Sequence, residues 1–246
     1  MTRPTLLMVV GLIVSSAIAG RADADIIMSA AGLNATLKKM GQLKQQIDAG
    51  TKTQRDEALF GLGVEGDALA TLINQEVASH GMQERELIDL ALSRMKELGL
   101  AVTYNREKKK FFYDGAGFEQ YLKNAPGGPH AAAAQFKLLS YQFYQSTGGD
   151  PVALVEASEA KKRFLARYPR FKENPELDLY LAIDYRDLYR RFRDAHDEAS
   201  AEKYRRLTRS RYQQIARLYP GTEQASTARQ LLRRFDEEIQ TTSRHH

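Results

Sequence analysis

Cysteine is absent from all 246 residues. That absence excludes disulfides, a cysteine nucleophile, and the lipid anchor that bacterial lipoproteins attach to a cysteine just after their signal. The chain must be held together by its core. Histidine is scarce: His80, His130 and His196 in the body, with His245 and His246 at the end. Glu76 and His80 lie one helical turn apart, yet two ligands are too few for a zinc site, and no H-E-x-x-H exists. A helix-end histidine before Gly81, favourably placed against the helix dipole, is the plainer reading. No G-x-S-x-G or Walker motif occurs. Gly61, Gly63 and Gly66 match a bare G-x-G-x-x-G spacing, but they follow no strand and read as a glycine-punctuated loop. No catalytic site, cofactor site or metal site is expected. Beyond residue 24 no stretch is apolar enough to span a bilayer.

What is present begins with an export signature. Arg3 gives a positive start, Leu6 to Ile18 is mostly apolar, and Ala22-Asp23-Ala24 supplies small residues at the −3 and −1 positions of a signal-peptidase site. The apolar run falls short of the roughly 20 residues a spanning helix needs. Residues 1–24 are therefore expected to be removed after Ala24, leaving a soluble periplasmic or secreted protein. The chain carries 36 Lys+Arg and 31 Asp+Glu. Subtracting Arg3, Arg21 and Asp23 leaves 34 against 30, a mildly basic balance that permits contact with anionic lipid, cell-wall polymer or acidic protein surfaces.

The hydrophobic period is helical almost throughout. Leu33, Leu37, Met40 and Ile47 share one face of a helix over 25–50. The glycines at 50, 61, 63 and 66 predict only a short helix from Gln54 to Phe60. Asp67 is then read as the N-cap of a helix ending at Gly81, and a further helix spans Glu84 to Leu98 with Gly99 just past its end. Leu100 to Tyr104 and Phe111 to Tyr113, rich in β-branched and aromatic residues, predict a small β-hairpin.

From Phe118 onward, three segments superpose on their prolines: Phe118-to-Pro126, Lys161-to-Pro169 and Tyr212-to-Pro220. Five residues before each proline stands Tyr121, Phe164 or Ile215. Two copies place alanines five and eight residues after it, Ala131 and Ala134, then Ala225 and Ala228; the middle copy has Asn174 and Leu177. This is the pattern of a helical hairpin. Proline stops the first helix, small residues let the second approach closely, and each hairpin must bury its uncovered face on a neighbour. The runs ending at Tyr168-Pro169 and Tyr219-Pro220, the latter followed by Gly221-Thr222-Glu223-Gln224-Ala225, resemble the tetratricopeptide-like repeats of bacterial envelope proteins, such as those of the outer-membrane assembly lipoprotein and the Tol–Pal periplasmic coordinator. The proline-to-proline spacings of 43 and 51 depart from a regular 34-residue unit. The resemblance implies a superhelical scaffold that binds proteins or peptides without enzymatic activity.

Together these readings give an all-α fold of stacked antiparallel helical hairpins with one small β-hairpin near 100–113. The expected divisions are a signal peptide at 1–24, a mixed N-terminal region at 25–117, repeats at 118–240 and a tail at 241–246. From Arg186 to Arg234 there are 13 Lys+Arg against 6 Asp+Glu. Arg186, Arg190 and Arg193 share one helix face beside an apolar stripe of Tyr185, Leu188, Tyr189 and Phe192. They form either a solvated flank or a strip that contacts an anionic headgroup or an acidic partner. Two rival functions remain open. One is a winged-helix-like nucleic-acid binder with Lys108, Lys109 and Lys110 in the wing, which would need an unexported chain. The other is a cell-wall-active enzyme, which would need a cleft lined with carboxylates or histidine.

Overall fold

The computed structural model describes residues 29–80, 85–106, 108–145 and 150–243. The expected signal sequence with its cleavage point, Gly81 and the last residues of the tail lie outside them. Among the described residues the chain forms nine helices and one two-stranded antiparallel hairpin. The order is α1 (Ala30–Ala49), α2 (Lys52–His80), α3 (Arg85–Glu97), β1 (Val102–Asn105), β2 (Lys110–Tyr113), α4 (Ala116–Asn124), α5 (Ala131–Gln145), α6 (Pro151–Arg167), α7 (Asn174–Asp194), α8 (Glu198–Leu218) and α9 (Glu223–Ser243). The protein is all-α, as its periodicity predicts.

Local chemistry explains most of the boundaries. Ser29, Asp150 and Asp197 cap α1, α6 and α8 by accepting backbone N–H bonds from Gly32, Val152 and Ser200. At the start of α2, the Thr51 backbone N–H donates to Gln54 Oε1 and the Gln54 N–H points back to Thr51 Oγ1, a reciprocal capping box. Gly99 takes φ +78° after α3, and the Leu100 N–H closes onto Met95 C=O, as a C′ glycine allows.

The glycine-punctuated loop is not there. Lys52 to His80 is one continuous helix that runs through Gly61, Gly63, Gly66 and Asp67, so Asp67 is not a cap. The glycines admit close neighbours. A Cβ on Gly63 would stand 2.7 Å from the Phe118 ring of α4, one on Gly61 would meet Leu43 of α1 at 3.2 Å, and one on Gly66 would meet Tyr113 of β2 at 3.0 Å. The helical penalty of each glycine, roughly 1 kcal/mol, is outweighed by burial on three sides of α2. The β-hairpin pairs in the register Val102 to Tyr113 through Asn105 to Lys110. Asn74 of α2 braces it by exchanging two 2.7 Å hydrogen bonds with the Phe111 backbone.

The three proline turns share one backbone geometry. Ala125, Tyr168 and Tyr219 end their helices with φ between −121° and −137° and ψ between 51° and 63°, each donating its N–H to the carbonyl four residues back. Each then accepts from the N–H three residues on, at Gly128, Phe171 and Thr222. Tyr121, Phe164 and Ile215, five before each proline, are fully buried. Ala131, Ala134, Ala225 and Ala228 are buried as well, along with Asn174 and Leu177 in the middle copy. Asn174 departs from the alanine pattern for a reason: its Nδ2 donates to the Tyr168 carbonyl at 2.8 Å, the same job that Thr222 Oγ1 performs on Tyr219.

Contacts between helices fix their directions. Arg190 and Arg193, late in α7, meet Glu238, late in α9; Asp178, early in α7, meets Arg211 and Tyr219, late in α8 or just past it. Phe136 reaches Phe171 and Phe143 reaches Tyr180, so α5 and α7 run in parallel. Helices α4 to α9 thus form an up-and-down array of stacked hairpins, with the three proline turns along one edge.

The division expected at residue 117 runs through a core instead of around it. Phe118, Tyr121, Ala131 and Ala134 are buried in the same cluster as Leu59, Leu62 and Ile73 of α2 and Tyr113 of β2. The first hairpin is the floor of the N-terminal core as well as the first member of the array.

Candidate functional site

Arg186, Arg190 and Arg193 do not form a free strip. Arg190 makes a bidentate contact with Glu238 of α9 at 2.9 and 2.6 Å. Arg193 lies 3.5 Å from the same carboxylate, 2.9 Å from Asp194 and over the Tyr189 ring. Arg186 pairs with Asp187. Fork geometry that suits a foreign anion serves here to clamp α7 to α9. The repeat-turn tyrosines are likewise structural. Tyr219 donates to Asp178 Oδ2 at 3.1 Å, and Arg211 meets Asp178 Oδ1 at 2.9 Å. Asp178 is nearly buried, and that desolvation raises its pKa against the lowering by Arg211 and Tyr219. Among the described residues no group of three or more His, Asp or Glu side chains is placed to hold a metal.

A groove of about 610 Å³ lies where α5, α6 and α7 meet, with Lys108 of the hairpin among its lining residues. Its walls are apolar at Phe143, Ala153, Leu154, Ala157, Ala160 and Ile183, and charged at Asp150, Glu156, Lys161, Asp184, Asp187 and Arg191. Ala153, Ala157 and Ala160 recur at helical spacing, so one face of α6 is stripped to methyl groups along the groove.

Two of the charged residues are buried. The side chains of Lys161 and Asp184 are 1% and 3% exposed, and Lys161 Nζ donates to Asp184 Oδ2 at 2.7 Å. Ser158 Oγ approaches the same oxygen at 3.4 Å, and the ammonium sits 5.7 Å from the Phe143 ring centre. Burial pushes the Asp184 carboxyl up to about 6 even though Lys161 pulls it down. An ion pair taken out of water costs several kcal/mol per charge before attraction offsets it. The array holds this pair where it lines a cavity.

Neither residue stands out in the sequence as a site, but a signal is present. Ser158, Lys161 and Phe164 occupy the buried face of α6, and Asp184 falls among Leu181, Tyr185 and Leu188 on the buried face of α7. A charge inside the apolar stripe of each of two successive helices is a pattern that periodicity can show. Which acid meets which base is not.

No family model and no curated protein matches this chain. Among solved structures, a chain of the DHF119 filament aligns over 85% of this chain and 98% of its own at 17% identity, with a TM-score of 0.26. A superposition that loose carries no argument.

Proposed function

We propose that this protein is a non-catalytic helical-repeat scaffold of the bacterial envelope that holds a peptide segment of a protein partner in the α5–α6–α7 groove. The observation that carries this reading is the groove itself: about 610 Å³, floored by alanine methyls, with a buried ion pair in its wall. That volume falls within the roughly 300–1,000 Å³ typical of ligand sites, and the mixture of apolar floor and few polar groups suits an extended chain. The placement in the envelope rests on the export signature of residues 1–24 and on the tetratricopeptide-like turns. Among the described residues no helix is long and apolar enough to cross a membrane.

The test is site-specific photocrosslinking in intact cells. A photoreactive amino acid at Ala157, in the groove, should give a discrete protein adduct whose attachment maps to one segment of one partner. The same group at the exposed Gln230 of α9 should not give that adduct, and Ala153→Arg, which fills the groove, should abolish it. Equal adducts from both positions, or an adduct indifferent to Ala153→Arg, would remove the groove from the function. Mass analysis of the mature N-terminus should begin at Asp25; an N-terminus still bearing Met1 would remove the envelope.

A further inference from the structure

Resting on the groove reading above, we infer that the Lys161–Asp184 pair is a recognition element for an uncharged side-chain carboxamide, that of a glutamine or asparagine of the bound segment. Lys161 Nζ has three N–H donors, and the hydrogen bond to Asp184 Oδ2 uses one. Phe143 offers the ammonium a ring face and no acceptor atom. On the other side of the pair, the hydrogen bonds to Asp184 from Lys161 and Ser158 both fall on Oδ2, which leaves Oδ1 as an acceptor. Both residues line the cavity. The wall therefore presents donors and an acceptor next to each other within a pair whose net charge is zero.

The complement of such a pair is a group with one acceptor and one donor and no charge of its own. A carboxamide meets that description: its carbonyl accepts from Lys161 while its N–H donates to Asp184. A carboxylate would satisfy Lys161 but face Asp184 with like charge. An ammonium would do the reverse. Either would leave an uncompensated charge in a desolvated wall, the arrangement that breaking a buried pair shows to be costly. An aliphatic side chain would fit the alanine floor and Ile183, but it would cover the spare donors and acceptor without pairing them. The flanking apolar residues then select small or apolar neighbours on either side of the amide.

The experiment titrates the full chain with four blocked tetrapeptides, acetyl-Ala-Xaa-Ala-Ala-amide, in which Xaa is glutamine, its isostere glutamate, lysine or norleucine. The readout is the NMR shift of the Ala153, Ala157 and Ala160 methyls. The glutamine peptide should shift them saturably, and the other three should bind roughly tenfold or more weakly. In the Lys161→Met/Asp184→Leu double variant, which keeps the wall filled, the norleucine peptide should equal or overtake the glutamine peptide. Tighter binding of the glutamate or lysine peptide to the wild type would overturn the inference and make the pair a half-site for charge. Equal binding of glutamine and norleucine would make the pair structural only. If no peptide moves the methyls, the amide inference falls. The groove reading is then judged separately by whether Ala157 still crosslinks its partner in cells.

Discussion

Lys161 and Asp184 illustrate how two residues can be costly to bury and costlier to separate. Lys161→Ala strands Asp184 in a wall where it is 3% exposed, and should destabilise the protein by about 3–5 kcal/mol. Lys161→Met with Asp184→Leu removes both desolvation terms and should leave stability unchanged or raise it by about 1–4 kcal/mol in chemical denaturation. A double variant as unstable as the single one would show that the pair, and not merely its completeness, holds α6 to α7. The pH dependence has a definite sign. The folded carboxyl titrates at about 6, above its ordinary 3.8, so between those values the folded state keeps a proton that the unfolded state has lost. Stability from this group is therefore greatest below about pH 4 and falls as pH rises towards 6. Measured against the double variant, the wild type should lose up to about 3 kcal/mol across that window and change little above it. A gap between the two proteins that is flat from pH 4 to 6 would contradict this.

Glycine and alanine decide how closely the helices approach. Gly63 faces the fully buried Phe118 ring, where a Cβ would sit at 2.7 Å, whereas a Cβ on Gly41 of α1 meets nothing within 4 Å. Gly63→Ala should cost about 1–3 kcal/mol through overpacking, and Gly41→Ala should add about 0.5–1 kcal/mol by restricting the unfolded chain. Opposite shifts in melting temperature check both at once. Ala228 is fully buried against Leu179, Ala182, Tyr212 and Ile215, so Ala228→Leu should cost about 1–3 kcal/mol; an unchanged thermal melt would take it out of the core. These two cases show what was legible at this scale. The alanines after Pro220 were readable because the proline turn dates them from a fixed point in the chain. The glycines at 61, 63 and 66 suggested a break, because their local propensity opposes a helix and the side chains that reward their smallness, Leu43, Phe118 and Tyr113, lie 18, 55 and 47 residues away.

Across the molecule, the cores overlap instead of meeting at a seam. Phe118, Tyr121, Ala131 and Ala134 of the first hairpin complete the N-terminal core, while Phe136 and Leu139 of the same α5 belong to the next cluster with Phe164 and Leu177. A fragment ending at residue 117 loses the floor of its core and should remain unfolded by circular dichroism. One ending at residue 145 keeps α4 and α5 and should melt cooperatively. Cooperative unfolding of the shorter fragment would restore the boundary that composition suggests at 117. Arg190 and Arg193 carry the same lesson. They lie on one face of α7, as their spacing requires, but that face meets Glu238 on a helix that starts almost 30 residues later, so a strip open to a partner becomes a clamp between neighbours.

The sequence alone determined everything that a few adjacent residues can encode: the helical period, the hairpin at 102–113, and the three proline turns with their common geometry, since φ restriction, capping and side-chain periodicity act over one or two turns of chain. Tertiary structure decided the rest. It determined that α2 runs unbroken through its glycines, that Lys161 finds Asp184 across 23 positions, and that Arg190 finds Glu238 across 48. Those outcomes depend on which surfaces are dehydrated together, a property that exists only once the helices have stacked.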